Sequence, residues 1–111
     1  MKLITAIVRP DKLDELIGTL VDNQAHGLTV AEVRGFGRQF GQLAAGASRS
    51  QVTLLPKIRL DVVALDDDVE TLVEAIAKHA RTETIGDGKI WMTPVDSVLR
   101  VRTGERDRAA V

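Results

Sequence analysis

The 111 residues are 44% hydrophobic and 28% charged, with no cysteine, which fits one domain spanning 1–111 around a single modest core and excludes a disulfide scaffold. Fifteen lysines and arginines against sixteen aspartates and glutamates leave a formal charge of -1, so no global basic field draws nucleic acid or an anionic membrane, and any anion site must be local. The only aromatic residues are Phe36, Phe40 and Trp91, too few for the stacking platforms that hold single-stranded nucleic acid. The apolar opening Met1 to Val8 falls far short of the ~18 residues a membrane span needs. Charge follows it rather than a cleavage-site pattern, so the expectation is a cytoplasmic protein with no membrane insertion and no nucleic-acid partner.

Leu3 to Val8, rich in β-branched residues and stopped by Arg9-Pro10, predicts a buried first strand. Asp11 stands where it can cap a helix whose apolar residues Leu13, Leu16, Ile17, Leu20 and Val21 fall at helical spacing and whose end lies near Asn23. Leu28 to Arg34 predicts a second strand running into Gly35-Phe36-Gly37. From Arg38 to Leu55 no period persists, which predicts a long loop, and connections of that length are usually functional. Beyond Pro56-Lys57, the alternation of Ile58, Leu60, Val62 and Ala64 predicts a half-buried strand. Asp66-Asp67-Asp68 then opens a helix with an apolar stripe of Val69, Leu72, Val73, Ile76, Ala77 and Ala80, closed by Lys78, His79 and Arg81. Thr84 to Gly88 breaks that helix, Lys89 to Met92 resumes strand character, and Val98 to Arg102 reads as a last short strand. Two β-α-β halves joined by the loop at about 38–55 give an α+β fold of the ferredoxin-like split βαβ kind, βαββαβ, with both helices on one face.

Three sites of possible anion chemistry stand out. Gly86-Asp87-Gly88-Lys89 can turn backbone N–H groups toward an anion and add a lysine point charge, although on its own it reads first as a glycine-punctuated turn. Arg100 and Arg102, two apart on the last predicted strand, would share a face and could clamp a phosphate or carboxylate; alone they are equally a solvated edge. Gly35-Phe36-Gly37-Arg38-Gln39 pairs glycines with a cation and an amide at the loop entry. No nucleophile and base pair can be assembled: His79 suits a helix end, His26 a turn, and no cysteine exists. Paired histidines at ligand spacing are likewise missing, and Trp91 reads as a core or subunit-contact residue.

Taken together, Leu3-Ile4-Thr5-Ala6-Ile7-Val8-Arg9-Pro10, Gly27-Leu28-Thr29-Val30, Gly35-Phe36-Gly37-Arg38-Gln39, Leu55-Pro56-Lys57, Ile85-Gly86-Asp87-Gly88-Lys89-Ile90 and Arg100-Val101-Arg102-Thr103-Gly104-Glu105 resemble the PII nitrogen-regulatory signal proteins, end to end except at the loop centre. The resemblance implies a non-enzymatic homotrimer with ATP or ADP in three intersubunit clefts. It implies that Gly86, Asp87, Gly88 and Lys89 cradle phosphates, that Arg100 and Arg102 reach them from the adjacent subunit, and that Gly27, Thr29, Gly37 and Arg38 line the nucleotide. Asp61 stands where the family has a longer glutamate near the adenine. Gln39 would help hold magnesium beside ATP, and Gln39 with Lys57 would receive 2-oxoglutarate. Through its loop such a protein would control targets of nitrogen metabolism, its partner being an unidentified target protein or a membrane transporter to which it is recruited.

The loop centre departs from the family pattern. It reads Ala44-Ala45-Gly46-Ala47-Ser48-Arg49-Ser50 and the chain has no tyrosine, so nucleotidylation of a loop tyrosine is ruled out, while Ser48 and Ser50 remain as hydroxyls for phosphorylation. An alternative is a PII-like sensor of adenine nucleotides and bicarbonate that regulates inorganic-carbon uptake; retention of Gln39 and Lys57 argues against it. A small ferredoxin-like enzyme such as an acyl-phosphatase would need a phosphate loop after the first strand, which Arg9-Pro10-Asp11 does not supply.

Overall fold

A computed structural model describes residues 1–37 and 52–111. The chain forms β1 (Lys2–Val8), α1 (Leu13–Asp22), β2 (Thr29–Gly35), β3 (Leu55–Ala64), α2 (Asp66–Ala80) and β4 (Lys89–Pro94), the expected βαββαβ order. The four strands make one antiparallel sheet ordered β2-β3-β1-β4. Both β-α-β halves place their second strand beside the partner half, so the two halves interlock through the central pair β1 and β3.

The period-2 alternation divides each strand between two environments. Ile4, Ala6 and Val8 from β1 and Ile58, Leu60, Val62 and Ala64 from β3 are buried with Leu16 and Leu20 of α1 and Leu72 and Ile76 of α2. This is the core, one sheet face against two amphipathic helices. The opposite face carries Leu3, Thr5 and Ile7, then Lys57, Arg59, Asp61 and Val63, with Thr29, Ala31 and Val33 on one flank and Lys89 and Trp91 on the other. Thr5 is only 1% exposed, and its hydroxyl donates to the Asp61 carboxylate at 2.7 Å, as a polar group inside a sheet must.

Three expectations change. Asp11 does not cap α1: Pro10–Lys12 form a 3-10 turn ahead of the helix, and Arg9 at its N-cap makes no side-chain cap. Proline is favoured at such a start, where its missing N–H costs nothing, so the turn tightens one step early. β3 begins at Leu55 rather than Ile58 and includes Pro56, which it can because β1 pairing stops at Val8↔Ile58 and only β2 lies alongside Pro56. Finally, Val98 to Arg102 is not a strand. The Gly104 amide donates to the Arg100 carbonyl at 2.8 Å and the Arg100 amide to the Glu105 carbonyl at 2.9 Å, with one bridge between Leu99 and Arg106. The segment folds back on itself through Gly104 at φ +73°, a conformation glycine adopts without penalty. The expected loop at 38–55 lies mostly outside the described residues, as do Ser48 and Ser50, and Leu55 belongs to β3.

Candidate anion-binding clefts

Helix α2 ends at Ala80, and the chain returns to the sheet through residues 81–88. Gly86 and Gly88 take φ values of +104° and +97°, so the backbone turns where a side chain would be strained. Gly88 is also pressed against β1: a Cβ there would stand 1.6 Å from the Ile7 carbonyl oxygen. Asp87 lies between these glycines and faces back into the turn. Its carboxylate accepts from the Thr82 amide at 2.7 Å, the Glu83 amide at 2.9 Å and the Thr82 hydroxyl, and it pairs with Arg9 Nε at 3.1 Å.

The Thr82 hydroxyl is the strongest influence on this carboxyl. Together with the Thr82 amide, Arg9 and the Glu83 amide it outweighs partial burial and holds Asp87 far below the usual carboxylate range. A depressed folded-state value stabilises the protein above the unfolded value of about 3.9 and is lost as pH falls below it. Asp87→Asn should therefore flatten the acid limb of stability. Denaturant melts at pH 6 and pH 3 should show a smaller loss in the variant than in the wild type.

The turn forms one wall of a cleft of about 740 Å³. Gly35, Phe36 and Gly37 face it from the end of β2, Lys57 from β3, Ile7 from β1, and Lys89 with Trp91 from β4. Lys57 Nζ donates to the Gly86 carbonyl at 2.6 Å. Burial lowers the Lys57 pKa, and the positive charge of Arg9 lowers it further against the pull of Asp87. Lys89 is exposed and pairs with no carboxylate among the described residues. Backbone amides at positive φ, one cushioned lysine and one open lysine form a concavity suited to an anion.

A second cleft lies at the other end of the sheet, where Gly27 and Thr29 enter β2, Asp61 and Val63 leave β3, and Leu3 begins β1; Arg100 and His26 border it. Burial raises the Asp61 carboxyl, but hydrogen bonds from Thr5 and Arg59 more than offset this and keep it below its ordinary value. Arg59 Nε bonds it at 2.9 Å, so both its oxygens are engaged within the sheet.

The residues singled out in the sequence thus divide in two. Gly37, Lys57, Gly86, Asp87, Gly88 and Lys89 share the first cleft; Gly27, Thr29, Asp61 and Arg100 share the second. Arg100 and Arg102 do not share a strand face, because they sit at a turn: Arg100 pairs with Glu105 at 2.9 Å, and Arg102 is exposed and borders neither cleft. Arg38 and Gln39 lie outside the described residues. Trp91 is 41% exposed and lines the first cleft rather than the core. His79 ends α2 as expected and contacts Glu15 of α1 at 2.8 Å. Arg9 was not signalled as a site residue, since its partners at 84–87 come from the far end of the chain.

Residues 1–105 match the family described as "Nitrogen regulatory protein P-II". The chain is 49% identical over its full length to nitrogen regulatory protein P-II 2 of Methanothermobacter thermautotrophicus, covering 97% of that protein. It is 50% identical to the P-II protein of Cereibacter sphaeroides and 45% identical to the nitrogen regulatory protein GlnK of Escherichia coli, each aligned over all of both chains. With the βαββαβ sheet and a match over nearly every residue, the chain belongs to the nitrogen regulatory protein P-II family.

Proposed function

We propose that this protein is a non-enzymatic signal-transduction regulator of nitrogen metabolism, a homotrimer that holds ATP or ADP between subunits. The observation that carries the reading is the division of the candidate residues into two clefts at opposite ends of one sheet. The glycine turn and Lys89 belong to one, Thr29 and Arg100 to the other. In a cyclic, head-to-tail assembly the first cleft of each subunit faces the second cleft of its neighbour, so one complete site forms at each interface. The outer sheet face supports assembly: Leu3, Ile7, Val33 and Val63 are half-buried and Ala31 and Trp91 exposed there, with both helices packed on the other side.

In that site Gly86, Gly88 and Lys89 would receive phosphates, Gly27, Thr29 and Gly37 would line the nucleotide, and Arg100 and Arg102 would approach from the neighbour, with Arg38 beside them. Asp61, committed to Thr5 and Arg59, would support the base pocket rather than contact the base directly. Magnesium fits this donor set in one way. Among the described residues no group of three acidic or histidine side chains is arranged for a metal, so the ion would take its oxygens from phosphates, water and Gln39, and would neutralise phosphate charge. Lys57 and Gln39 would receive 2-oxoglutarate. Ligand occupancy would bias the 38–55 segment and hence affinity for a cytoplasmic target or a membrane transporter. No helix among the described residues is long and apolar enough to cross a membrane.

Calorimetric titration of ATP, ADP, 2-oxoglutarate and bicarbonate into the purified protein tests this reading. ATP and ADP should bind, and Lys89→Ala should weaken them by about 1.5–3 kcal/mol, the worth of a lost charge-assisted hydrogen bond. Binding of 2-oxoglutarate should require Mg-ATP. Bicarbonate binding in its place, or no nucleotide binding at all, would overturn the assignment.

A further inference from the structure

Four loop groups are fastened by two cations from outside the turn. Arg9, at the end of β1, donates from Nε to Asp87 at 3.1 Å and from one terminal nitrogen to the Thr84 hydroxyl at 2.9 Å and the Ile85 carbonyl at 2.7 Å. Lys57 holds the next carbonyl, that of Gly86. On the inner side Asp87 gathers the Thr82 and Glu83 amides, the second from a non-glycine residue at φ +64°, a conformation that persists only where its surroundings impose it. Asp87 borders the cleft, but its carboxylate is engaged by these donors, and a carboxylate offered to phosphate would in any case repel it.

We propose that Arg9 and Asp87 are positioning residues: their ion pair clamps the 82–88 turn so that the backbone at Gly86 and Gly88 is preset to receive an anion. The inference rests on the nucleotide reading above and changes the role of Asp87 from a group that touches phosphate to one that shapes the turn. The planar guanidinium suits the task, because it reaches a carboxylate, a hydroxyl and a carbonyl at once where an ammonium is a single point charge. Preset amides need no rearrangement when the ligand arrives, which is the source of their advantage.

The sign of one substitution separates this from plain electrostatics. Asp87→Asn removes a negative charge from an anion site, so a purely electrostatic role predicts tighter ATP binding. A positioning role predicts weaker binding, because an amide side chain cannot accept from all the donors that Asp87 now satisfies. Asp87→Asn and Arg9→Ala should each weaken ATP and ADP by about tenfold, and the double variant should be little worse than either single, as residues acting through one contact are non-additive. Arg9→Lys, which keeps the charge and most of the packing, should show a smaller loss in the same direction. In the protein without ligand, hydrogen exchange should quicken at residues 82–88 in both variants while β1 and β3 stay protected. Tighter or unchanged ATP binding by Asp87→Asn, losses that multiply to about a hundredfold in the double variant, or unaltered exchange at 82–88 would each overturn the proposal. A wild-type protein that binds no nucleotide would overturn the nucleotide reading itself.

Discussion

Gly88→Ala should cost about 3–5 kcal/mol of stability or detach the 84–88 turn from the sheet, and with either outcome nucleotide binding should be lost. The added methyl would sit 1.6 Å from the Ile7 carbonyl oxygen and 2.7 Å from its carbon, and no rotamer change relieves a clash with backbone. Ile7 pairs with Arg59 on one side and Lys89 on the other, so β1 cannot retreat without breaking both ladders. The φ of +97° adds conformational strain of its own. Mutational losses this large arise from a short list of causes, and backbone strain at a special dihedral is among them. Urea unfolding measures the first effect and ATP titration the second; a variant as stable as the wild type that binds ATP normally would show that the turn does not need to lie so close to β1.

Ala31→Glu should leave the subunit folded and abolish its assembly. Ala31 lies on the outer sheet face opposite Arg59 and is exposed in the isolated subunit, so a charge there disturbs little in a monomer. Enclosed between sheets the same carboxylate would be desolvated at a cost of several kcal/mol. Light scattering should report a mass of three subunits of 12.1 kDa for the wild type and one for the variant, with far-UV circular dichroism unchanged. If the nucleotide site is shared as proposed, affinity should disappear along with the assembly, because each subunit would keep only half of it. A variant that stays trimeric would place the subunit contact on another surface.

The sequence shows some of this plainly and some not at all. Both helices were legible because their stripes are long and regular, Leu13, Leu16 and Leu20 in one and Val69, Leu72 and Ile76 in the other, and each stripe does meet the sheet. The first three strands were legible from β-branched runs, although Pro56 hid the true start of β3, since a proline is acceptable only where one neighbouring strand is missing. Val98 to Arg102 misled for the opposite reason. Its alternating apolar residues match a strand, but no ladder beyond the Leu99–Arg106 bridge takes them up, and Val101 is left 94% exposed. Of the first cleft, the glycine-lysine turn was visible as a motif. Arg9 was not, because its partner Asp87 lies 78 residues away and only the fold brings the two together. The allocation of Lys89 and Arg100 to separate clefts was implied by the family resemblance but could not be read from the residues alone, since it depends on which end of the sheet each segment reaches.

If each nucleotide site is built from two subunits, mixing two differently damaged subunits should restore it. Lys89→Ala damages the first cleft and Arg100→Ala the second, so each variant alone should bind ATP poorly. If the two variants are unfolded together and refolded as a mixture, some interfaces will join an intact first cleft from one subunit to an intact second cleft from the other. Titration of the mixture should then recover a fraction of sites with wild-type affinity. Recovery of no such sites from mixed trimers, when each variant alone is folded and trimeric, would contradict a shared site and place nucleotide binding within a single subunit.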